Sequence, residues 1–330
     1  MFDIITFGSA TRDFFLRSKN FRVIKSDDFA TGQGICFDLG SKNQIDEIFF
    51  ASGGGGTNVS TTFAYQGFKV GCVGKVGNDI SGESIKRELK ELKVKDFIIE
   101  DKKQITGHSI ILSVSDKERT ILNYPGACYY LNENDIPLNK LKAKWFYIAP
   151  LPGESAKTLL PIINFAKKNN IKVALNPGKD QLSLGLEGLK DVLNAVDILN
   201  LNQEEGAKLA ELPFEQENEI FKKLDEYVRG IVIMTKGPEG VVVSDGEYIY
   251  RAGTFKEEKF IDRTGAGDAF GSGFVSGIMR YDTIEEAIRL GTANGTAVVE
   301  AMGAKNGLLT KKRFETESRW EKLETSKIKL

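Results

Sequence analysis

The sequence predicts an α/β protein with a mainly parallel sheet and a small additional β layer, on three observations. From about Phe50 onward, short apolar strands alternate with helix-period stretches, the pattern of a parallel sheet covered by helices. Two segments, about 13–50 and 97–127, break that rhythm. They show the period-2 alternation of strands with one wet face, as in Ser109-Ile110-Ile111-Leu112-Ser113-Val114. No Pro/Gly/Ser-rich linker divides the 330 residues, so one domain over residues 1–330 is expected, with the two segments inserted as a β layer over a cleft.

Taken in order, Asp3-Ile4-Ile5-Thr6-Phe7-Gly8 reads as a buried first strand without a basic n-region, so no signal peptide is expected. Lys69 to Gly74 reads as a strand and Asp79 to Leu92 as an amphipathic helix. Trp145 to Ala149 is a strand and Glu154 to Lys168 a helix. Lys172 to Leu175 and Asp197 to Asn200 are two further strands. A helix built around Ile220, Leu224 and Val228 leads into a strand at Ile231 to Thr235. Long helical patterns follow Gly265 and Asp282, and the Lys- and Glu-rich stretch after Thr310 reads as a solvated helix or tail.

Composition excludes several chemistries. With 45 Lys+Arg against 46 Asp+Glu, there is no global field for holding nucleic acid or an anionic membrane, so neither partner is expected. One histidine, His108, cannot build a multi-His metal site, and it has no neighbour that would make it a metal or nucleophile partner. Cys36, Cys72 and Cys128 are too far apart for a C-x-x-C pair, and their odd number points to a reducing cytoplasm. No apolar run approaches the ~20 residues of a membrane helix.

The most informative segment is Asp262-Arg263-Thr264-Gly265-Ala266-Gly267-Asp268-Ala269-Phe270, where small residues crowd the start of an apolar, helix-period run. Glycines let backbone N–H groups converge, and the helix N-terminus adds roughly half a positive charge. Together these make an anion site without a lysine. Asp268 would repel a phosphate there, unless its task is to accept a proton from the hydroxyl that attacks the phosphate. The plain alternative is a helix capped by Thr264 or Asp262, with Asp268 in its first turn. Gly53-Gly54-Gly55-Gly56-Thr57-Asn58 also precedes a helix, and alone it fits a flexible turn, a dinucleotide fingerprint or a helix start. Asn202-Gln203-Glu204-Glu205 reads as an N-capped acidic first turn, and Thr235-Lys236-Gly237-Pro238-Glu239-Gly240 as a strand end and loop.

In this order and over nearly the whole chain, these segments resemble the ribokinase-like (PfkB) carbohydrate kinases, whose D-x-x-G-A-G-D signature matches Asp262 to Asp268. The resemblance implies a three-layer α/β/α core with a small β-sheet lid. It implies Asp268 as catalytic base and the amides of Gly265, Ala266 and Gly267 as an anion hole for the transferred phosphoryl group. Asp13, Gly54 and Asn58 would hold the acceptor; Asn202, Thr235, Gly237 and Asn294 would contact the nucleotide. Glu205 would organise Mg²⁺, largely through water, and Asp262 matches a position that helps hold a monovalent cation in some members. The implied activity is ATP- and Mg²⁺-dependent phosphorylation of a hydroxymethyl group of a small sugar, with a nucleoside kinase or a non-catalytic sugar- or nucleotide-sensing protein as alternatives. Many members dimerise through the lid, so a homodimer is expected. Two departures put ribose in doubt: Gly55 stands where ribokinases usually have lysine, and Pro150-Leu151-Pro152-Gly153 lacks their sugar-binding glutamate. Arg263 replaces a small or β-branched residue.

Overall fold

The first strand, β1 (Phe2–Phe7), sends Ile4 into one apolar cluster and Ile5 and Phe7 into another, and all three are fully buried. A strand buried on both faces needs a layer of helices on each side. The computed structural model, which describes every residue except 30 and 115–118, supplies both layers. After β1 come β2 (Thr11–Arg17), β3 (Arg22–Lys25), β4 (Gln33–Cys36), β5 (Glu47–Gly53) and α1 (Gly55–Tyr65). Next are β6 (Val70–Gly77), α2 (Ile80–Glu91), β7 (Lys95–Asp101), β8 (Gly107–Ser113), β9 (Arg119–Tyr124), β10 (Ala143–Ile148) and α3 (Leu159–Lys168). The chain continues through β11 (Lys172–Leu175), α4 (Lys179–Leu182), α5 (Gly185–Leu193), β12 (Ile198–Asn202), α6 (Gln203–Ala210), α7 (Glu217–Asp225) and β13 (Ile231–Thr235). It ends with β14 (Val241–Ser244), β15 (Tyr248–Ala252), α8 (Ala266–Tyr281), α9 (Ile284–Val299), α10 (Lys311–Thr316) and β16 (Thr325–Lys329).

The main sheet has the order β16-β15-β14-β13-β12-β11-β10-β1-β6-β7, parallel from β7 to β13 and antiparallel beyond. Ile5, Phe146 and Ile148 pack with Ile162, Leu189, Leu209 and Phe221 from α3, α5, α6 and α7. Ile4, Trp145 and Tyr147 face the other way, onto Val59, Ile85, Phe274 and Ile288 from α1, α2, α8 and α9. This is the expected three-layer α/β/α core.

A separate four-stranded sheet has the order β5-β2-β8-β9, with β3 and β4 as a hairpin of their own. Its strands come from the two segments that broke the βα rhythm, although residue 30 and residues 115–118 of those segments lie outside the described residues. The second segment begins later than expected, because β7 pairs with β6 and belongs to the main sheet. Register places Thr11, Asp13, Phe15 and Arg17 on one face, beside Ala51, Phe49 and Glu47 on one side and Ser109, Ile111 and Ser113 on the other. Asn123, Ile121 and Arg119 continue these rows on β9. Phe15 and Ile111 are buried against the core, so this face looks inward. The outer face carries Ile48, Phe50, Ile110, Leu122 and Tyr124, all exposed.

Two sequence expectations change. Residues 154–168 form a 3₁₀ turn (Gly153–Thr158) before α3 rather than one helix. The stretch after Thr310 is not simply solvated: Trp320 is fully buried with Phe255, Leu290 and Phe314, and β16 pairs with β15 as an edge strand of the main sheet. The buried residues are a minority amid Lys and Glu, which is why composition hid them.

Candidate active site

The C-terminal ends of β1, β12 and β13 and the starts of α1, α6 and α8 meet on one side of the sheet, where open parallel sheets hold their ligands. Gly54 caps α1 with φ 89°, and a Cβ there would collide with the Ser9 carbonyl just past β1. Glycine is required on both counts. The turn aims Asn58 across to α8, where its Nδ2 donates to Asp268 Oδ2 at 2.9 Å. Asn58 Oδ1 is buried and has no protein partner. Gly55 keeps the space beside the other carboxylate oxygen open, since a Cβ there would lie 3.6 Å from Asp268 Oδ1.

Asp268 lies in the first turn of α8, whose N-cap is Gly265 in the left-handed conformation at φ 79°. The capping alternatives, Thr264 and Asp262, are thereby excluded as N-caps. Burial pushes the Asp268 carboxyl above the usual aspartate range, while the Asn58 hydrogen bond and the Lys305 charge pull the other way. Ser272 returns a hydrogen bond to the Asp268 carbonyl at 2.6 Å.

Asp13 is 5% exposed on the inner face of the small sheet. Thr11 donates to its Oδ1 at 3.2 Å, and its carboxylate lies against Gly53. Burial pushes its carboxyl up, opposed by hydrogen bonds from Ser109 and Thr11 and by the Lys305 and Arg12 charges.

Lys305, which sequence reasoning passed over, bonds Ser52 Oγ at 2.6 Å and Glu88 Oε1 at 3.0 Å, with Ser52 also bonded to Glu88. Burial lowers the Lys305 ammonium pKa, with Glu88 acting against it. This cluster fastens β5 to α2 and the loop after α9. Its members stand far apart in sequence, and only the fold unites them.

Asn202 and Glu205 form a reciprocal cap on α6: Asn202 Oδ1 accepts from Glu205 N at 2.8 Å and Glu205 Oε2 from Asn202 N at 2.9 Å. Burial and the neighbouring Glu204 raise the Glu205 carboxyl. Among the described residues no group of three or more His, Cys, Asp or Glu could hold a metal directly. Mg²⁺ keeps several of its waters and needs few carboxylates, so Glu205 fits an ion held through water rather than in a protein cage.

A cleft is lined by Thr235, Gly237, Ala266, Gly267, Thr292, Gly295 and Thr296. Asn294 does not belong to it. That residue is fully buried, donating to Ala269 O at 2.8 Å and Thr62 Oγ1 at 3.3 Å and accepting from Leu309 N at 2.9 Å. The helix period explains the correction: Thr292, Gly295, Thr296 and Val299 share one face, and Asn294 points about 200° away from Thr292. That periodicity was available in the sequence.

Asp262 is 6% exposed, and both its oxygens are occupied. Oδ1 accepts from Thr264 N at 3.0 Å and Thr264 Oγ1 at 2.8 Å and pairs with Arg119 Nη1 at 3.1 Å; Oδ2 accepts from Gly303 N at 3.2 Å. With a guanidinium already on it, this carboxylate does not fit a monovalent cation. His108 meets Ser81 Oγ at 3.1 Å and the Phe14 ring, and the three cysteines are free.

Three comparisons bear on this geometry. A family model described as pfkB family carbohydrate kinase matches residues 1–311. The chain is 31% identical over 272 residues to a ribokinase of Lactococcus lactis, covering 80% of this chain and 84% of that one. It is 29% identical over 271 residues to a cytidine kinase of Thermococcus kodakarensis, covering 78% and 94%. Among solved structures, an Arabidopsis thaliana ribokinase complexed with ribose and ATP superposes with a TM-score of 0.78 at 20% identity, covering 97% and 99%.

Proposed function

Because the chain belongs to the pfkB family of carbohydrate kinases, we propose that it transfers the γ-phosphoryl group of ATP to a hydroxymethyl group of a small sugar. The observation that carries this reading is the Asn58–Asp268 pair at the floor of the site, beside the Ala266 and Gly267 edge of the cleft. In this mechanism the Asp268 carboxylate takes the hydroxyl proton as the acceptor oxygen bonds to the γ-phosphorus. The bond from that phosphorus to the bridging oxygen breaks, and ADP leaves. Charge developing on the phosphoryl oxygens falls against the N–H groups of Gly265 and Gly267 and, once its 3.2 Å hydrogen bond to the Arg263 carbonyl is given up, of Ala266; losing one donor of such a site costs about 2.7–4 kcal/mol. Mg²⁺, when bound, neutralises phosphate charge, and Asn202 and Glu205 would hold it through water.

Asp13, Gly54 and Asn58 hold the acceptor. A carboxylate accepts several hydroxyl hydrogen bonds, and Asn58 Oδ1 is a buried acceptor still lacking a donor. Thr235 and Gly237 contact the nucleotide, with Thr292 and Thr296 in place of Asn294. The small sheet acts as a lid within a single domain, excluding water from the transfer. Its exposed outer face favours a homodimer, and a cytoplasmic setting supplies ATP.

A nucleoside acceptor is the second reading, favoured by the 29% identity to a cytidine kinase over 78% of this chain and 94% of that one. A coupled ADP-release screen over pentoses, hexoses, adenosine, guanosine and cytidine decides. Release with a free sugar supports the first reading and release with nucleosides alone the second. Ligand binding without turnover across the panel would make the protein a sensor.

A further inference from the structure

We propose that Arg119 is the resident cation of the loop preceding α8, a positioning residue supplied by the lid that stands where a monovalent cation would otherwise neutralise Asp262. Arg119 opens β9 at the edge of the small sheet, on the inward face by register with Ser113 and Arg17. Its guanidinium reaches a carboxylate that is 6% exposed and contributes the only full positive charge among that carboxylate's described partners. The remaining donors are Thr264, one residue before the left-handed Gly265, and Gly303, one residue before Ala304. A Cβ on Gly265 would collide with Ala304, so these two loops are in van der Waals contact. Asp262 therefore fixes both loops beneath the start of α8, and it does so with a charge delivered from a different sheet. When Arg119 is in place, the lid edge is over the site and the Gly265–Gly267 amides are set together. A buried carboxylate left without that charge would draw a cation from solution or distort the loop.

Two consequences separate this from a merely structural ion pair. The protein should be indifferent to monovalent cations, and losing Arg119 should create a dependence on them. Wild-type melting temperature and turnover, compared in KCl and choline chloride at equal ionic strength, should agree within about 1 °C and about twofold. Arg119→Ala should lower kcat by about ten- to a hundredfold with little change in nucleotide KM, the loss of a hydrogen bond to a charged group. KCl or millimolar guanidinium should restore part of the variant's turnover and melting temperature, and Arg119→Lys should lie between the two proteins. Stabilisation or activation of the wild type by KCl over choline would overturn the proposal. So would an Arg119→Ala protein indistinguishable from wild type, or a loss that neither ion nor lysine relieves. If Arg119→Ala fails to fold, the wild-type salt comparison still decides. The turnover arm rests on the kinase reading; the melting arm needs no acceptor, so the failure of one is distinguishable from the failure of the other.

Discussion

Replacing Asp268 by asparagine removes the proposed base while leaving most of its surroundings intact. The amide oxygen can still accept the Asn58 hydrogen bond now made at 2.9 Å, and the backbone of the α8 first turn is untouched. General-base catalysis is worth about 10²–10⁴-fold, or about 2.7–5.4 kcal/mol at 1.36 kcal/mol per decade. Turnover should fall by at least ~10² with ADP affinity unchanged, measured by coupled ADP release and by calorimetry. Stability supplies an internal control. Burial raises the folded-state Asp268 pKa, so the folded chain binds more protons than the unfolded chain in that range, and stability falls as pH rises through it. Asparagine carries no such cost, so the variant should melt at or above the wild-type temperature at pH 8. The wild-type kcat should in turn fall as pH drops, along an acid limb lying above the ordinary aspartate range. Near-normal turnover would refute the assignment, and so would an activity loss accompanied by equal losses of ADP affinity or melting temperature.

Other substitutions test other parts of the molecule. Burial, with a contribution from Asp245, pushes Asp225 up to about 6, against a hydrogen bond from Ser244. Its ionised form therefore costs stability that is absent below the unfolded-state pKa and fully present above about 6; Asp225→Asn should stabilise by about 1–3 kcal/mol at pH 8 and by nothing near pH 4, read from denaturant midpoints. Trp320→Ala empties a fully buried site against Phe255 and should cost about 3–5 kcal/mol in urea unfolding, whereas a solvated tail would give almost no change. If the outer face of the lid is the homodimer contact, Phe50→Asp with Leu122→Asp should convert a dimer to a monomer in sedimentation, and a monomeric wild type would refute that contact.

What the sequence disclosed follows the range of each signal. Strand positions such as Ile231–Thr235 came from apolar runs, and the Gly265–Asp268 turn from composition at a helix start, both local features. Pairings such as Asn58 with Asp268, Arg119 with Asp262, and Lys305 with Ser52 and Glu88 join separate segments. Resemblance brought the first of these into view as a shared site. The other two depend on sheet register and on loops meeting, which no single stretch encodes. Asn294 failed differently: its residue type suggested a ligand contact, but its face of α9 sealed it in the core.

That buried asparagine has a consequence for the ageing of the protein. Asn294 is followed by Gly295, and an Asn-Gly step in a flexible chain deamidates readily, because the glycine nitrogen can swing onto the side-chain carbonyl. Inside α9 the backbone holds that nitrogen away, and the side-chain amide is engaged by three separate segments. The folded state thus protects this step, in contrast to Asn306-Gly307, whose asparagine is exposed in a loop. A chain left unfolded long enough to deamidate would return with a carboxylate facing the Ala269 carbonyl, where the native side chain offers an N–H. Two acceptors in contact, with the charge desolvated, would oppose refolding. At this step, time spent unfolded, more than time spent working, would set the rate of damage.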